Sequence, residues 1–395
     1  MRPPLASDMT RLLALLALLP LAVSAQSPIP DGTELELIAN GFQFTEGPLW
    51  VDGGILFSDI PANTIYRWSP GGGVEVFRSP SQKSNGLVLD GEGRLLIAQH
   101  GARRVARLED GTEVALATAY DGKALNSPND LAVHPDGSIY FTDPTWGLEG
   151  RPAELGFTGV YRLDTEGDIH LLASDLNQPN GIAFSPDLAT LYVTTSNERT
   201  VVAYDLADGE VSNGRVFARL TGGAPNDAAD GMVVGTDGTL FVAGPSGPSE
   251  SGVVVFAPDG TRLDAVAVPG QTTNVTFGDD DGRALYITSG PGVYRLRLGD
   301  AVATEPSPEA GFRIEAVAPN PSAETATVVV HLDKPRTTTL AVLDALGREV
   351  HTVRLGGAAG EHRVEVDVRD LTAGVYVVRL GDGAEAVTRA LTVAR

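Results

Sequence analysis

Six segments of the chain open with an oxygen-bearing side chain and continue into a short apolar run. They are Glu46-Gly47-Pro48-Leu49-Trp50, Asn85-Gly86-Leu87-Val88-Leu89, Asn129-Asp130-Leu131-Ala132-Val133, Asn180-Gly181-Ile182-Ala183-Phe184, Asp230-Gly231-Met232-Val233-Val234 and Thr273-Asn274-Val275-Thr276-Phe277. No leading position is Lys, Arg or apolar. Converging carboxylate and amide oxygens suit one hard divalent cation. Glu46, Asn180 and Asp230 are the candidate set for it, with Asn129 and Asn85 between them; Ca²⁺ comes first, then Mg²⁺ or Mn²⁺. Zn²⁺ is the weakest alternative, because zinc favours Cys and His. The chain has no Cys, and this region carries only His100, His134 and His170. Asn, Asp and Gly are also turn formers. Six aligned positions with a Glu among them favour a site over unrelated turns.

The elements that must position these groups recur. Each segment is followed by an Asp/Gly turn and a second apolar strand, beginning at Ile55, Leu95, Ile139, Leu191, Leu240 and Leu285, with spacings of 40, 44, 52, 49 and 45. That is the period of a four-stranded propeller blade. The sixth repeat stops after its third strand near Leu298, and an unassigned strand, Thr33 to Ala39, precedes the first. Pairing the two closes the ring without an open sheet edge. The expectation is an all-β chain, with a six-bladed β-propeller over 31–300. The start of each first strand and the end of each second strand then surround one opening of the central channel. Asp59, His100, Asp143 and Ser196 join that face. Asp59 and Asp143 could equally be strand-end turn residues, and His100 a structural histidine.

The 395 residues exceed one ordinary domain. The 51 acidic against 29 basic residues leave a charge of −22, which argues against nucleic acid or an anionic membrane as a partner. Without Cys there are no disulfides, thiolate nucleophiles or iron–sulfur clusters. Arg2 and Arg11, the apolar run Leu12 to Val23 and Val23-Ser24-Ala25 read as a signal peptide over 1–25. The run is shorter than the roughly 20 residues of a membrane span, and no later stretch could provide a transmembrane segment. Residues 301–311 read as a Pro- and Ala-rich linker. Six short strands from Thr325 to Val393 then suggest a small Ig-like β-sandwich over 312–395. No G-x-S-x-G, H-E-x-x-H or P-loop is present; Gly244-Pro245-Ser246-Gly247-Pro248 lacks the final Gly.

Two resemblances follow from ordered motifs. Ala318-Pro319-Asn320-Pro321, Asp344-Ala345-Leu346-Gly347-Arg348-Glu349-Val350 and Leu371-Thr372-Ala373-Gly374-Val375-Tyr376 resemble the C-terminal sorting domain of type IX secretion. That resemblance implies the type IX machinery as a partner, export across the outer membrane, and a secreted or surface-attached protein. Glu46-Gly47-Pro48-Leu49-Trp50, Asn126-Ser127-Pro128-Asn129-Asp130, Gln178-Pro179-Asn180-Gly181-Ile182-Ala183-Phe184-Ser185-Pro186-Asp187 and Asp230-Gly231-Met232 resemble the senescence marker protein, gluconolactonase and luciferin-regenerating enzyme family. This second resemblance implies a six-bladed propeller with one divalent metal and a lactone substrate. By motif, Glu46, Asn180 and Asp230 match its metal ligands, and Asn129 a residue touching substrate or metal. Ala229 stands before Asp230 where relatives often have Pro.

The reading that results is a metal-dependent sugar-lactone hydrolase. The metal would polarise the carbonyl and Asp230 would activate water. Asn129 and Asn85 would hold ring hydroxyls or the carbonyl, with His100 and Asp143 as further substrate-side candidates. The long loop from Pro144 to Phe157 is a candidate lid or specificity loop. Alternatives are a lactonase or esterase for larger or apolar lactones, and a non-catalytic ligand-binding propeller.

Overall fold

A computed structural model describes residues 27–223, 227–279, 281–299, 312–318, 322–332, 334–343, 349–369, 371–372, 374–382 and 385–393. The leader over 1–25 and the linker over 301–311 lie outside these residues, as do parts of the three C-terminal motifs.

Among the described residues, 35–297 form six four-stranded antiparallel sheets and one short β-ribbon. Sheet 1 runs Thr45–Val51, Gly54–Asp59, Thr64–Ser69 and Gly73–Arg78. Sheets 2 to 5 repeat this order, opening with Ser84–Leu89, Leu131–Val133, Pro179–Phe184 and Met232–Val234. Sheet 6 holds Thr272–Gly278, Ala284–Ser289 and Gly292–Arg297, and its fourth strand is the N-terminal Leu35–Asn40. That strand pairs antiparallel with Gly292–Arg297, Leu35 opposite Leu296.

The second strand of every sheet is apolar without alternation, as in Ile55-Leu56-Phe57 and Leu240-Phe241-Val242, and is buried along nearly its whole length. The reason is that both faces pack on neighbouring sheets, so neither can carry solvent-facing residues. Separate apolar clusters join sheet 1 to 2 (Leu56, Ile65, Leu87, Ile97), 2 to 3, 3 to 4, 4 to 5 and 5 to 6. A sixth cluster, Ile55, Phe57, Ala284, Tyr286 and Val293, joins sheet 6 back to sheet 1. The first strands also contact one another in sequence, and Thr272–Gly278 returns to Thr45–Val51. The sheets therefore close on themselves, with their first strands innermost.

The C-terminal part has its own core. Phe312–Ala318, Thr325–Leu332 and Gly360–Asp367 form one sheet; Glu349–Gly357, Arg336–Leu343, Gly374–Asp382 and Glu385–Val393 form another. Val328, Leu340, Val366, Val378 and Leu391 belong to one buried cluster drawn from both sheets. The strand Phe312–Ala318 is additional to the six the sequence reading assigned; it pairs with Thr325–Leu332 through a register shift that interrupts its alternation.

Candidate active site

At the start of the innermost strands the regular ladder breaks. Register shifts occur between Glu46 and Leu49, Ser84 and Leu87, Pro179 and Ile182, and Thr272 and Asn274. The freed backbone bonds across to the next sheet instead. Gly86 N donates to Asn129 O at 2.8 Å, and Gly231 N to Thr273 O at 2.7 Å. Hydroxyls near the ends of second strands do the same: Ser58 Oγ donates to Asn85 O (2.8 Å), Thr142 Oγ1 to Asn180 O (2.6 Å) and Thr194 Oγ1 to Asp230 O (2.8 Å). Asn85, Asn129, Asn180 and Asp230 are thus each held by the sheet before their own. Sequence reasoning passed over these hydroxyls, although the recurrent Ser or Thr in Phe57-Ser58-Asp59, Phe141-Thr142-Asp143 and Val193-Thr194-Thr195 was the available signal.

The result is a cavity of about 570 Å³ whose wall includes Glu46, Asn85, Asn129, Asn180 and Asp230, with His100 and Ser196 beside them. The five oxygen-bearing residues are only 2–5% exposed. Asn180 Nδ2 donates to Ser196 Oγ at 3.3 Å, and Ser196 Oγ donates to Ala229 O at 2.8 Å. Asn85 Nδ2 lies 3.3 Å from His100 Nε2, and Glu46 Oε2 accepts from Gly47 N at 3.0 Å. Asn85 Oδ1, Asn180 Oδ1 and Asp230 Oδ1 are buried and receive no hydrogen bond. Buried oxygens of this kind are costly unless something positive meets them.

The electrostatics agree. Burial pushes the Glu46 carboxyl up to about 8, and nearby Asp130 adds to the shift; Gly47 N–H and the Asn274 amide oppose it. Asp230 is also pushed up, by burial and by Glu46, while the Asn180 amide opposes the shift. Asp130 rises to about 6 through burial. Two carboxylates crowded in a dry site favour protonation unless a cation offsets them. Among the described residues no three His, Cys, Asp or Glu side chains are so placed that they could hold a metal ion by themselves. A cation here would accordingly draw on Asn as well as carboxylate oxygens, which suits a hard ion better than zinc.

Asp143 is brought near but not into the cavity. It is fully buried, and its two oxygens accept from Asn126 N and Ser127 N, both at 2.7 Å. Asp59 likewise accepts from Gln43 N and Phe44 N. Both clamp the loop that leads into an innermost strand. Asp143 therefore holds the segment that leads to Asn129 and does not itself line the cavity. Burial raises its carboxyl to about 7 against the pull of those N–H groups. His100 is on the cavity wall, and burial lowers its imidazole to about 4, with Arg151 and Lys83 opposing protonation and Glu149 favouring it. A ring held neutral is a poor acid near neutrality and a good acceptor for Asn85 Nδ2.

Beneath the site, the second position of the six segments reads Gly47, Gly86, Asp130, Gly181, Gly231 and Asn274. A Cβ on Gly231 would lie 2.0 Å from Asn274 side-chain atoms, and one on Gly86 2.8 Å from Asp130 Oδ1. These two glycines make room for the side chains of Asn274 and Asp130 between the innermost strands. Asn274 Oδ1 accepts from Val275 N at 2.8 Å, which directs its amide nitrogen away towards the carboxyls of Glu46 and Asp130. Asp130 and Asn274 are functional candidates that the sequence reading did not single out.

Residues 44–291 match the family described as the SMP-30/gluconolactonase/LRE-like region, and residues 316–394 match a secretion system C-terminal sorting domain. The chain is 34% identical over 299 residues to a gluconolactonase from Zymomonas mobilis subsp. mobilis, covering 67% of this chain and 81% of that one. A pentonolactonase from Haloferax volcanii is 30% identical over 269 residues, covering 66% and 86%. The solved structure of a gluconolactonase from Xanthomonas campestris superposes with a TM-score of 0.63 at 35% identity, over 69% of this chain and 91% of that one. With the match spanning most of the ring and its buried oxygen cluster, the chain belongs to the SMP-30/gluconolactonase/LRE-like family.

Proposed function

We propose that the protein is an exported, metal-dependent hydrolase of sugar lactones, built as a six-bladed propeller with an Ig-like C-terminal sorting sandwich. The family match and the gluconolactonase and pentonolactonase relatives support the lactone. The C-terminal match supports export through type IX secretion and a secreted or surface location. Among the described residues no helix is long and apolar enough to cross a membrane. The single observation that carries the metal is the pair of buried, unpartnered oxygens on Asn180 and Asp230 beside Glu46.

Glu46, Asn180 and Asp230 would hold the divalent cation, Ca²⁺ before Mg²⁺ or Mn²⁺. When bound, the ion polarises the lactone carbonyl and stabilises the charge that develops on its oxygen. Asp230 takes the proton from the attacking water and later returns it to the ring oxygen. Asn129 and Asn85 orient the lactone through its hydroxyls. His100 engages the Asn85 amide nitrogen, and the buried Asn85 Oδ1, without a hydrogen-bond partner, is the atom that would do so. The test is chelation followed by single-metal add-back, with acid release followed on glucono- and galactono-lactones. Turnover that vanishes with chelator and returns with one of these ions is the expected result. A folded, metal-loaded protein that opens no lactone would favour a binding propeller. A second reading, an apolar lactone, draws on Phe44, Ile60 and Pro61 in the same wall.

A further inference from the structure

The cavity has two tiers. Its floor is the buried oxygen cluster. Its rim carries Trp146, 45% exposed, with the Lys83 and Glu149 side chains 33% and 51% exposed. Lys83 Nζ and Glu149 are paired across the rim. Trp146 opens a single 3₁₀ turn, Trp146–Leu148, in the loop between two strands of sheet 3. That turn is fastened from below. Gly147 N donates to Ser127 Oγ at 3.0 Å, and the Arg151 guanidinium donates to the carbonyls of His100, Gly101, Gly147 and Leu148 at 2.7–2.9 Å. Gly147 lies against the His100 ring so closely that a Cβ would fall 2.4 Å from it. The backbone that carries the exposed indole is thus tied to the wall of the site.

We propose that this rim is a subsite for a second sugar ring, so that the favoured substrate is the lactone end of an oxidised disaccharide. The inference rests on the lactonase reading above. A lactone whose carbonyl reaches the floor presents its far hydroxyls to the rim, and a glycosidic substituent there meets Trp146. A pyranose ring has an apolar C–H face that stacks on indole and an edge of hydroxyls. Lys83, Glu149 and Asn197 provide donors and acceptors for that edge. An acyl chain would use the indole but would displace water from the Lys83–Glu149 pair and offer it no hydrogen bond in return. In the reaction, water adds to the carbonyl carbon and the ring C–O bond breaks. The ring oxygen leaves as an alcohol with a proton from the water, and the acid formed releases its own proton. The glycosidic bond is untouched.

The experiment compares glucono-δ-lactone, cellobiono-δ-lactone and an N-acyl homoserine lactone on the full chain with added divalent metal. Expected is a kcat/KM for the disaccharide lactone about tenfold above that for gluconolactone, carried mainly by KM. Trp146→Ala should bring this ratio close to one, and Trp146→Tyr should keep most of it. Independently, cellobionate should quench tryptophan fluorescence more strongly than gluconate, and Trp146→Tyr should remove that difference. Equal rates on the two sugar lactones, the same ratio in Trp146→Ala, or a preference for the acyl lactone would overturn the subsite. Gluconolactone turnover without disaccharide preference overturns this inference alone; no turnover of any lactone overturns the lactonase reading as well.

Discussion

At the residue scale, the two carboxylates of the cavity floor differ in what their loss removes. Glu46→Gln keeps the shape and removes one charge; metal affinity measured calorimetrically should fall at least tenfold, with activity recovered in part at high metal concentration. Asp230→Asn removes the proton acceptor, and kcat should fall by about 10²–10⁴ even when metal is saturating. Equal loss in both variants, fully rescued by metal, would leave Asp230 as a ligand only. His100 makes a different prediction. Its imidazole sits near 4 in the folded protein against 6.5 when free, so the unfolded chain binds the extra proton between those values. The stability it contributes is complete above about pH 6.5 and is lost as pH falls towards 4. The stability gap between wild type and His100→Gln, from guanidinium melts, should therefore shrink by about 2–3 kcal/mol from pH 7.5 to 4.5. A constant gap would mean that the ring titrates normally.

At the element scale, what matters is how strand ends hold the site. Thr194→Val removes the hydroxyl that donates to Asp230 O and should cost about 1–2 kcal/mol, with a larger effect on kcat than the equivalent change at exposed Thr112. The loop over 144–157 depends on Arg151, whose guanidinium serves four carbonyls in a fork that Lys cannot reproduce. Arg151→Lys should speed hydrogen exchange in Trp146–Leu148 and raise KM. Unchanged exchange there would mean that the turn is held by its other contacts. The lengthened loop was legible in the sequence as a candidate lid. Its fastening was not, because Arg151 acts on carbonyls of Gly101 and His100, which are about fifty residues away in the chain.

At the scale of the whole molecule, ring closure and the separate C-terminal core make opposite predictions about shortening. Leu35–Asn40 provides the outer strand of sheet 6 and places Ala39 in the cluster joining sheets 6 and 1. A chain beginning at residue 41 should lose several degrees in Tm and unfold with less cooperativity. A chain ending at residue 300 should keep its lactone activity, since the clusters of the ring and of the C-terminal part share no residue. Loss of the fold in the second case would show that the two cores depend on each other.

Much of this architecture is written locally. The spacing of about 45 residues, the unalternating apolar second strands and the six oxygen-bearing starts are properties of short segments, so Glu46, Asn85, Asn129, Asn180 and Asp230 could be grouped before any fold was known. Asp130 and Asn274 could not. Each stands in a position that holds glycine in the other four segments, and that absence of a side chain acquires meaning only when the segments face one another across the channel. Asp143 shows the same division. Its place at a strand end was readable, but a carboxylate facing a cavity and one clamping two backbone N–H groups look identical in sequence. Only the packed loop decided between them, because hydrogen-bond partners distant in the chain are chosen by closure of the ring.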